Sequence, residues 1–219
     1  RTDTVGCRRS IRAYEECYSD RAQARRKRIR GGNVMMDLIL REANLPDGRT
    51  RVDIGVQNAR IVAVEPQLKA EAVEEIDATD RLVSPPFIDA HFHMDATLTR
   101  GLPRTNQSGT LFEGIQLWGE LQRQLTVEAV FERAMTYCDM AIAQGIQAIR
   151  SHVDVCDENL VGVEALLEVK RRVAPYIELQ LIAFPQHGYY RYPNTQEHLW
   201  RALDMGVEVI GGIPHFERT

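Results

Sequence analysis

From about residue 85 onward, short β-like apolar runs alternate with segments of helical periodicity. The four apolar runs cover residues 87–91, 148–153, 177–184 and 207–211. Strands that alternate with amphipathic helices are typical of βα units, in which each helix returns the chain to the same end of a parallel sheet. The pattern therefore predicts an α/β fold, with four βα units in residues 85–219.

The helices between these strands have recognisable boundary signals. Thr126 is a suitable N-cap for the first helix, and the second covers residues 159–173. Asn194 and Glu197, three residues apart, resemble a capping box at the start of the third. We expect residues 97–114 to form a long loop after the first strand.

Residues 35–84 carry a different pattern of β structure. Alternating apolar positions predict strands at residues 37–41, 52–56 and 60–64, and the Pro-Asp-Gly sequence that starts at Pro46 predicts a turn. Short strands joined by tight turns favour antiparallel pairing. We therefore expect a small antiparallel β domain, of the β-sandwich kind, ahead of the βα units.

The first 34 residues differ in composition from the rest. They hold ten Lys and Arg against four Asp and Glu, a balance of +6, whereas residues 35–219 have a balance of −10. Because no apolar periodicity is present to be buried, we expect a basic extension, disordered or non-native, that precedes a natural start at Met35 or Met36. A targeting segment or a nucleic-acid-binding arm is the alternative, and nucleic acid is the less favoured partner.

Composition also limits the cellular context. No apolar run approaches the roughly 20 residues that span a bilayer, so no membrane partner is predicted. The four cysteines have neither CxxC spacing nor the density of a disulfide scaffold, which favours reduced thiols. Together these features predict a cytoplasmic protein.

Two histidines, His91 and His93, stand one residue apart at the end of the first apolar run. Residues i and i+2 of a strand face the same side, so both imidazoles can point to one place if the strand continues through Phe92. Neutral imidazole is a good ligand for Zn or Fe(II), and the carboxyl end of a strand is where βα barrels build their sites. The alternative is that one histidine caps the strand while the other lies in the core.

The segment LVSPPFIDAHFHMD at residues 82–95 is similar to the start of the barrel in the amidohydrolase superfamily. Within that superfamily the chain resembles bacterial cytosine deaminases from about Met36 to its last residue. The motifs that carry this resemblance are NQSGTLFEGI at 106–115, RSHVDV at 150–155, LIAFPQ at 181–186 and IPHFE at 213–217.

The resemblance implies that residues 85–219 are the first half of a (β/α)8 barrel of the TIM type, in a metal-dependent hydrolase. Such a barrel takes roughly 250 residues, so the chain looks like a fragment of a longer product. We expect the isolated chain to lack catalysis. A homo-oligomer is expected.

The resemblance also implies the residues of the site. His91 and His93 would bind one divalent metal ion, Zn or Fe(II). Gln186 would hydrogen-bond the amide edge of a pyrimidine-like ring, and the backbone of Leu111 would close the same edge; a carboxamide offers both a donor and an acceptor for this purpose. The acid/base glutamate of the family is expected beyond residue 219.

The implied reaction is hydrolytic deamination of a pyrimidine-like cyclic amidine by metal-bound hydroxide, because a metal lowers the pKa of bound water to about 7. The aromatic and basic segment that starts at Tyr189 departs from the family, which keeps isocytosine or an aminotriazine such as an alkylated ammelide as alternative substrates. A non-catalytic truncated protein or interaction module is the remaining alternative.

Several other polar residues have two interpretations each. We expect His152 to be a hydrogen-bonded strand histidine rather than part of the pocket. Asp95 either orients an imidazole or is a solvated loop residue. His187 and His198 are predicted at the surface, and Cys156 has no evident activating base. His215 and Glu217 are expected in a loop near the substrate, without a ligand role.

Overall fold

The computed structural model describes residues 35–214 and Glu217. The predicted basic extension, residues 1–34, and His215 lie outside these described residues. The chain divides into two compact units between Ser84 and Pro85.

The first unit contains one four-stranded sheet. Its strands are β1 (Met36–Ala43), β2 (Val52–Gln57), β3 (Arg60–Glu65) and β4 (Ala72–Asp77), and their spatial order is β3-β2-β1-β4. The first three strands pair antiparallel, as the sequence predicts. β4 was not predicted, and it pairs parallel with β1, so the expectation of a purely antiparallel unit is wrong. Within residues 35–84 these strands form a single sheet, and the sandwich stays a prediction.

A buried carboxylate, that of Asp53 on β2, joins this sheet to the segment between β3 and β4. It accepts hydrogen bonds from the Arg41 guanidinium and from the backbone N–H groups of Glu42 and Leu68, each at 2.9 Å. Although burial alone raises the pKa of Asp53, the hydrogen bonds from the Glu42 amide and from Arg41 hold it below its usual value. Loss of this carboxylate would leave buried donors unpaired, at a cost of about 3 kcal/mol.

The second unit contains the predicted parallel sheet. Its strands are β5 (Phe87–Phe92), β6 (Ile146–Asp154), β7 (Glu178–Phe184) and β8 (Val209–Ile210), in the order β5-β6-β7-β8 with every neighbouring pair parallel. All four predicted apolar runs coincide with these strands, although β8 is shorter than expected. Because the pairing is parallel, the carboxyl ends of the strands meet at one edge of the sheet.

Four helices accompany these strands: α1 (Leu111–Gln122), α2 (Val127–Ala143), α3 (Val161–Val173) and α4 (Thr195–Met205). The Thr126 hydroxyl caps α2 as predicted, by accepting from the N–H of Ala129. α3 begins two residues later than expected. Asn194 occupies the N-cap position of α4, but its side chain makes no capping hydrogen bond, so the predicted capping box is wrong.

The predicted loop at residues 97–114 is too long, because α1 begins at Leu111. The Thr110 hydroxyl accepts a hydrogen bond from the N–H of Glu113. Glu113 lies three residues after Thr110, which is the spacing of a capping box, and this was the available sequence signal.

The core of the second unit lies between the sheet and the helices α2, α3 and α4. Its fully buried side chains include Val130, Val153, Leu166 and Leu181. This packing fixes the strands, and therefore the positions of the residues that follow their carboxyl ends. Among the described residues, no helix has both the length and the apolar character needed to cross a bilayer.

Candidate functional site

Three histidines meet at the carboxyl edge of the parallel sheet. His91 lies on β5, His93 directly follows β5, and His152 lies on β6. Each offers one ring nitrogen, and these three nitrogens all lie within 4.8 Å of one another. The ring centroids are 4.3 Å apart for His91 and His152, 5.2 Å for His93 and His152, and 5.5 Å for His91 and His93.

The backbone at His93 leads from β5 into a short turn. His93, the first residue after β5, has φ −124° and ψ 83°. A 3-10 turn, Met94–Ala96, then ends the strand. The N–H of Met94 donates to the buried hydroxyl of Ser151 on β6, at 2.9 Å, which fastens the turn to the neighbouring strand.

The electrostatic environment favours the neutral form of the His93 and His152 imidazoles. Burial, together with the neighbouring His152 and His91, lowers the pKa of His93 to about 4. Burial is also the main reason that the pKa of His152 is lowered. Neutral imidazole is the form that binds a metal ion, so the cluster suits a divalent cation better than it suits a catalytic acid.

His152 belongs to the cluster, which sequence reasoning did not favour. Its Nδ1 faces the backbone oxygen of Phe92 at 3.4 Å, so the expected hydrogen bond is also present. Metal-binding histidines commonly engage a backbone carbonyl with the ring nitrogen that does not bind the metal. His152 is therefore both a hydrogen-bonded strand histidine and a member of the three-histidine cluster.

Phe184, the last residue of β7, is a further member of the site that sequence reasoning did not single out. Its ring meets the rings of His93 and His152 edge-on, with centroids 5.5 and 5.2 Å apart. It is 8% exposed. An apolar ring at this position covers one side of His93 and His152.

Asp95 follows neither of its two predicted interpretations. Its carboxylate is buried and accepts a hydrogen bond from the N–H of Asp154, at 2.9 Å. Among the described residues, no imidazole forms a hydrogen bond with this carboxylate. Burial raises the pKa of Asp95 to about 7. Arg133 donates to the backbone oxygens of Asp95 and Thr97, so this turn is held from both sides.

The two predicted substrate-binding residues lie in different places. Gln186 is half-buried and follows β7 by two residues, at the same edge of the sheet as the histidines. Leu111 is the first residue of α1 and is 71% exposed. Among the described hydrogen bonds and ring contacts, none joins Leu111 to the three histidines.

The structure also gives the surroundings of three other residues that the sequence analysis named. His198 is buried, with Nδ1 3.1 Å from the backbone oxygen of Val155, so its predicted surface position is wrong. His187 is half-buried and stacks with Tyr192 at a centroid distance of 5.5 Å. Cys156 is buried, and burial raises the pKa of its thiol.

The loop after β7 is aromatic and basic, and it faces α1 across an open cleft of about 480 Å³. His187, Arg191 and Tyr192 line one side. None of the three clustered histidines lines this cleft, so we do not assign the reaction to it. Glu217 accepts hydrogen bonds from the backbone N–H groups of Tyr189 and Tyr190, which holds the loop in place.

Comparison with known proteins identifies the family. The model of the amidohydrolase family matches residues 74–212, which is more than half of the chain. The chain therefore belongs to the amidohydrolase family. This confirms the predicted membership of the amidohydrolase superfamily and the α/β fold class.

Two individual proteins are similar to this chain over most of its length. The chain is 31% identical over 186 residues to N-isopropylammelide isopropyl amidohydrolase of Pseudomonas sp. (strain ADP), a match that covers 81% of this chain and 45% of that protein. It is 42% identical to 5-methylcytosine deaminase from Klebsiella pneumoniae liganded with 5-fluorocytosine, with a TM-score of 0.78 over 83% of this chain and 44% of that chain. The predicted resemblance to cytosine deaminases is thus confirmed.

A third relative supports the fold alone. N-isopropylammelide isopropylaminohydrolase from Burkholderia multivorans ATCC 17616 has a TM-score of 0.63 at 23% identity, over 81% of this chain and 45% of that chain. The chain spans less than half the length of each of these relatives.

Proposed function

We propose that the protein containing this chain is a metal-dependent aminohydrolase that deaminates a cytosine-like pyrimidine. The observation that carries the proposal is the convergence of three imidazole nitrogens within 4.8 Å at the carboxyl edge of a parallel sheet. The similarity to a 5-methylcytosine deaminase at 42% identity supports the same reaction class. A complete (β/α)8 barrel around this sheet, and a homo-oligomer, are parts of the proposal.

The residues present fit one divalent metal ion, Zn or Fe(II). His91 and His93 would hold it, with His152 as the third imidazole. All three nitrogens can face a common point, and the low pKa of His93 keeps that ring in its ligand form. A divalent ion bound there supplies Lewis acidity, which makes hydroxide available from water near neutral pH.

Gln186 and Leu111 would bind and orient the ring. The Gln186 carboxamide can donate to the ring carbonyl and accept from the ring N–H of one amide edge. Leu111 begins α1, and the first N–H groups of a helix have no partner within the helix. Its backbone could therefore donate to the same edge. Both contacts would turn the carbon that bears the amine toward the histidines.

In the overall reaction, oxygen from water replaces the exocyclic amine, and ammonia leaves. Within this chain, the Phe184 ring covers one side of His93 and His152. Exclusion of water strengthens the electrostatic interactions of the site with the polar ring. The proton transfer to ammonia is proposed to use a glutamate beyond residue 219, as the resemblance implies.

A second candidate substrate is an N-alkylated aminotriazine. The relative named for N-isopropylammelide, at 31% identity, favours it. The loop after β7 supports it as well, because Tyr190 is 75% exposed and could contact a substituent larger than an amino group. The same histidines and Gln186 would serve both rings.

The experiment that separates these candidates is an assay of amine release by the intact protein. Cytosine, 5-methylcytosine, isocytosine and N-isopropylammelide are supplied separately, and ammonia and isopropylamine are quantified. We expect ammonia from a pyrimidine, with kcat/KM at least about tenfold above that for the triazine. A preference for isopropylamine release would favour the second candidate. Release of neither amine by metal-loaded protein would contradict the proposed function.

A further inference from the structure

Asp154, the last residue of β6, has a buried carboxylate that the proposed reaction does not use. The residue is only 4% exposed. Its Oδ2 accepts hydrogen bonds from the indole N–H of Trp118, at 2.8 Å, and from the side-chain amide of Gln122, at 2.9 Å. Its Oδ1 accepts from the backbone N–H groups of Cys156, at 2.8 Å, and Gln186, at 3.4 Å.

These four hydrogen bonds join three parts of the site. Trp118 and Gln122 lie on α1, the helix that begins at Leu111. Cys156 lies in the turn after β6, and Gln186 lies in the loop after β7. One oxygen of Asp154 therefore holds α1, while the other holds the backbone of the residue proposed to read the substrate.

A carboxylate suits this junction because all four partners are donors. An ionised carboxylate has about four lone-pair positions and accepts only. An asparagine of the same shape would place an NH₂ group against two of these donors. Because that group cannot accept, it would leave those donors unpaired in a buried position.

We propose that Asp154 is a positioning residue, which sets Gln186 and α1 at the places where they recognise the amide edge of the ring. This inference rests on the proposed function, and it extends that function to substrate specificity. A displacement of about 1 Å at a substrate-orienting group can cost about 100-fold in rate. Loss of the Asp154 contacts would release both recognition elements together, while leaving the three histidines in place.

The test is Asp154→Asn in the intact protein, with Asp53→Asn as the matched control. Asp53 is also a buried, multiply hydrogen-bonded aspartate, but it lies in the first unit. The measurements are metal content, kcat and KM for the preferred ring and for an analogue methylated on the amide-edge nitrogen, and hydrogen exchange at the Gln186 amide.

We expect Asp154→Asn to keep its metal and to raise KM for the preferred ring by about tenfold or more. KM for the methylated analogue should change little, so discrimination between the two rings should fall by the same factor. The Gln186 amide should exchange faster. Asp53→Asn should lower stability without changing discrimination or exchange at Gln186.

Three results would overturn the inference: unchanged discrimination in Asp154→Asn, unchanged exchange at Gln186, or loss of metal in that variant. If Asp154→Asn fails to fold, Trp118→Phe removes a single donor from the same junction and should show a smaller change in the same direction. If the wild-type protein deaminates no ring, the proposed function fails. The exchange measurement would then still decide whether Asp154 positions Gln186.

Discussion

His93→Ala is expected to remove the bound metal and to lower deamination by at least about a hundredfold. Mutation of a residue that only supports a metal ligand already costs about 10- to 100-fold in metal affinity, so loss of a ligand should cost more. His91→Ala should behave in the same way. The measurement is elemental analysis of the purified variants, together with amine release by the same samples.

The matched control for this experiment is His187→Ala, since His187 lies outside the three-histidine cluster. This variant should retain the wild-type amount of metal. Unchanged metal content in both His91→Ala and His93→Ala would contradict the assignment of the site.

Gln186→Ala is expected to keep the metal and lose substrate recognition. Two hydrogen bonds to the ring edge, each worth about 1 to 1.5 kcal/mol, would be removed. We therefore expect kcat/KM to fall by roughly a hundredfold, mostly through KM. Steady-state kinetics and metal analysis on the same preparation would measure both effects.

Gln180→Ala provides the control for Gln186, because Gln180 lies on β7, the strand that precedes Gln186, and its side chain accepts a hydrogen bond from Arg150 at 2.7 Å. Its kinetics should match those of the wild-type protein. Full activity in Gln186→Ala would refute the proposed contact with the ring, whereas loss of metal from that variant would assign Gln186 a different role.

The sequence predicted the parallel sheet well because each of its strands is a separate apolar run between helical segments. Pairing partners were harder to predict. β4 carries a mostly exposed segment, Ala72–Asp77, and nothing local indicates that it returns beside β1 in the parallel direction. This pairing depends on contacts between residues far apart in the chain.

In the site, too, local patterns were predictable from the sequence, and contacts between distant segments were not. His91 and His93 were predictable because a strand places residues i and i+2 on one side. His152 was not, because its position depends on the register between β5 and β6, where Phe92 pairs with Ser151. Helix α1 was missed although Thr110 and Glu113 have capping-box spacing.

Buried polar residues were the least predictable part of the site. Asp and His are residue types that are more common at the surface, yet Asp95 and His198 are both buried. Each forms a hydrogen bond with a backbone group of another segment. Burial of such groups is decided by hydrogen-bond partners from distant segments, which a single sequence does not reveal. The four hydrogen bonds of Asp154 were unpredictable for the same reason, because three of their donors lie on distant segments.

The most direct test of the account is the metal dependence of ammonia release by the intact protein. The protein is stripped with a chelator, assayed with its preferred pyrimidine, and assayed again after one equivalent of Zn or Fe(II) is restored. We predict that activity disappears on stripping, returns with the metal in wild-type protein, and does not return in His93→Ala. Undiminished ammonia release from fully stripped protein would contradict a metal centre built on these three histidines.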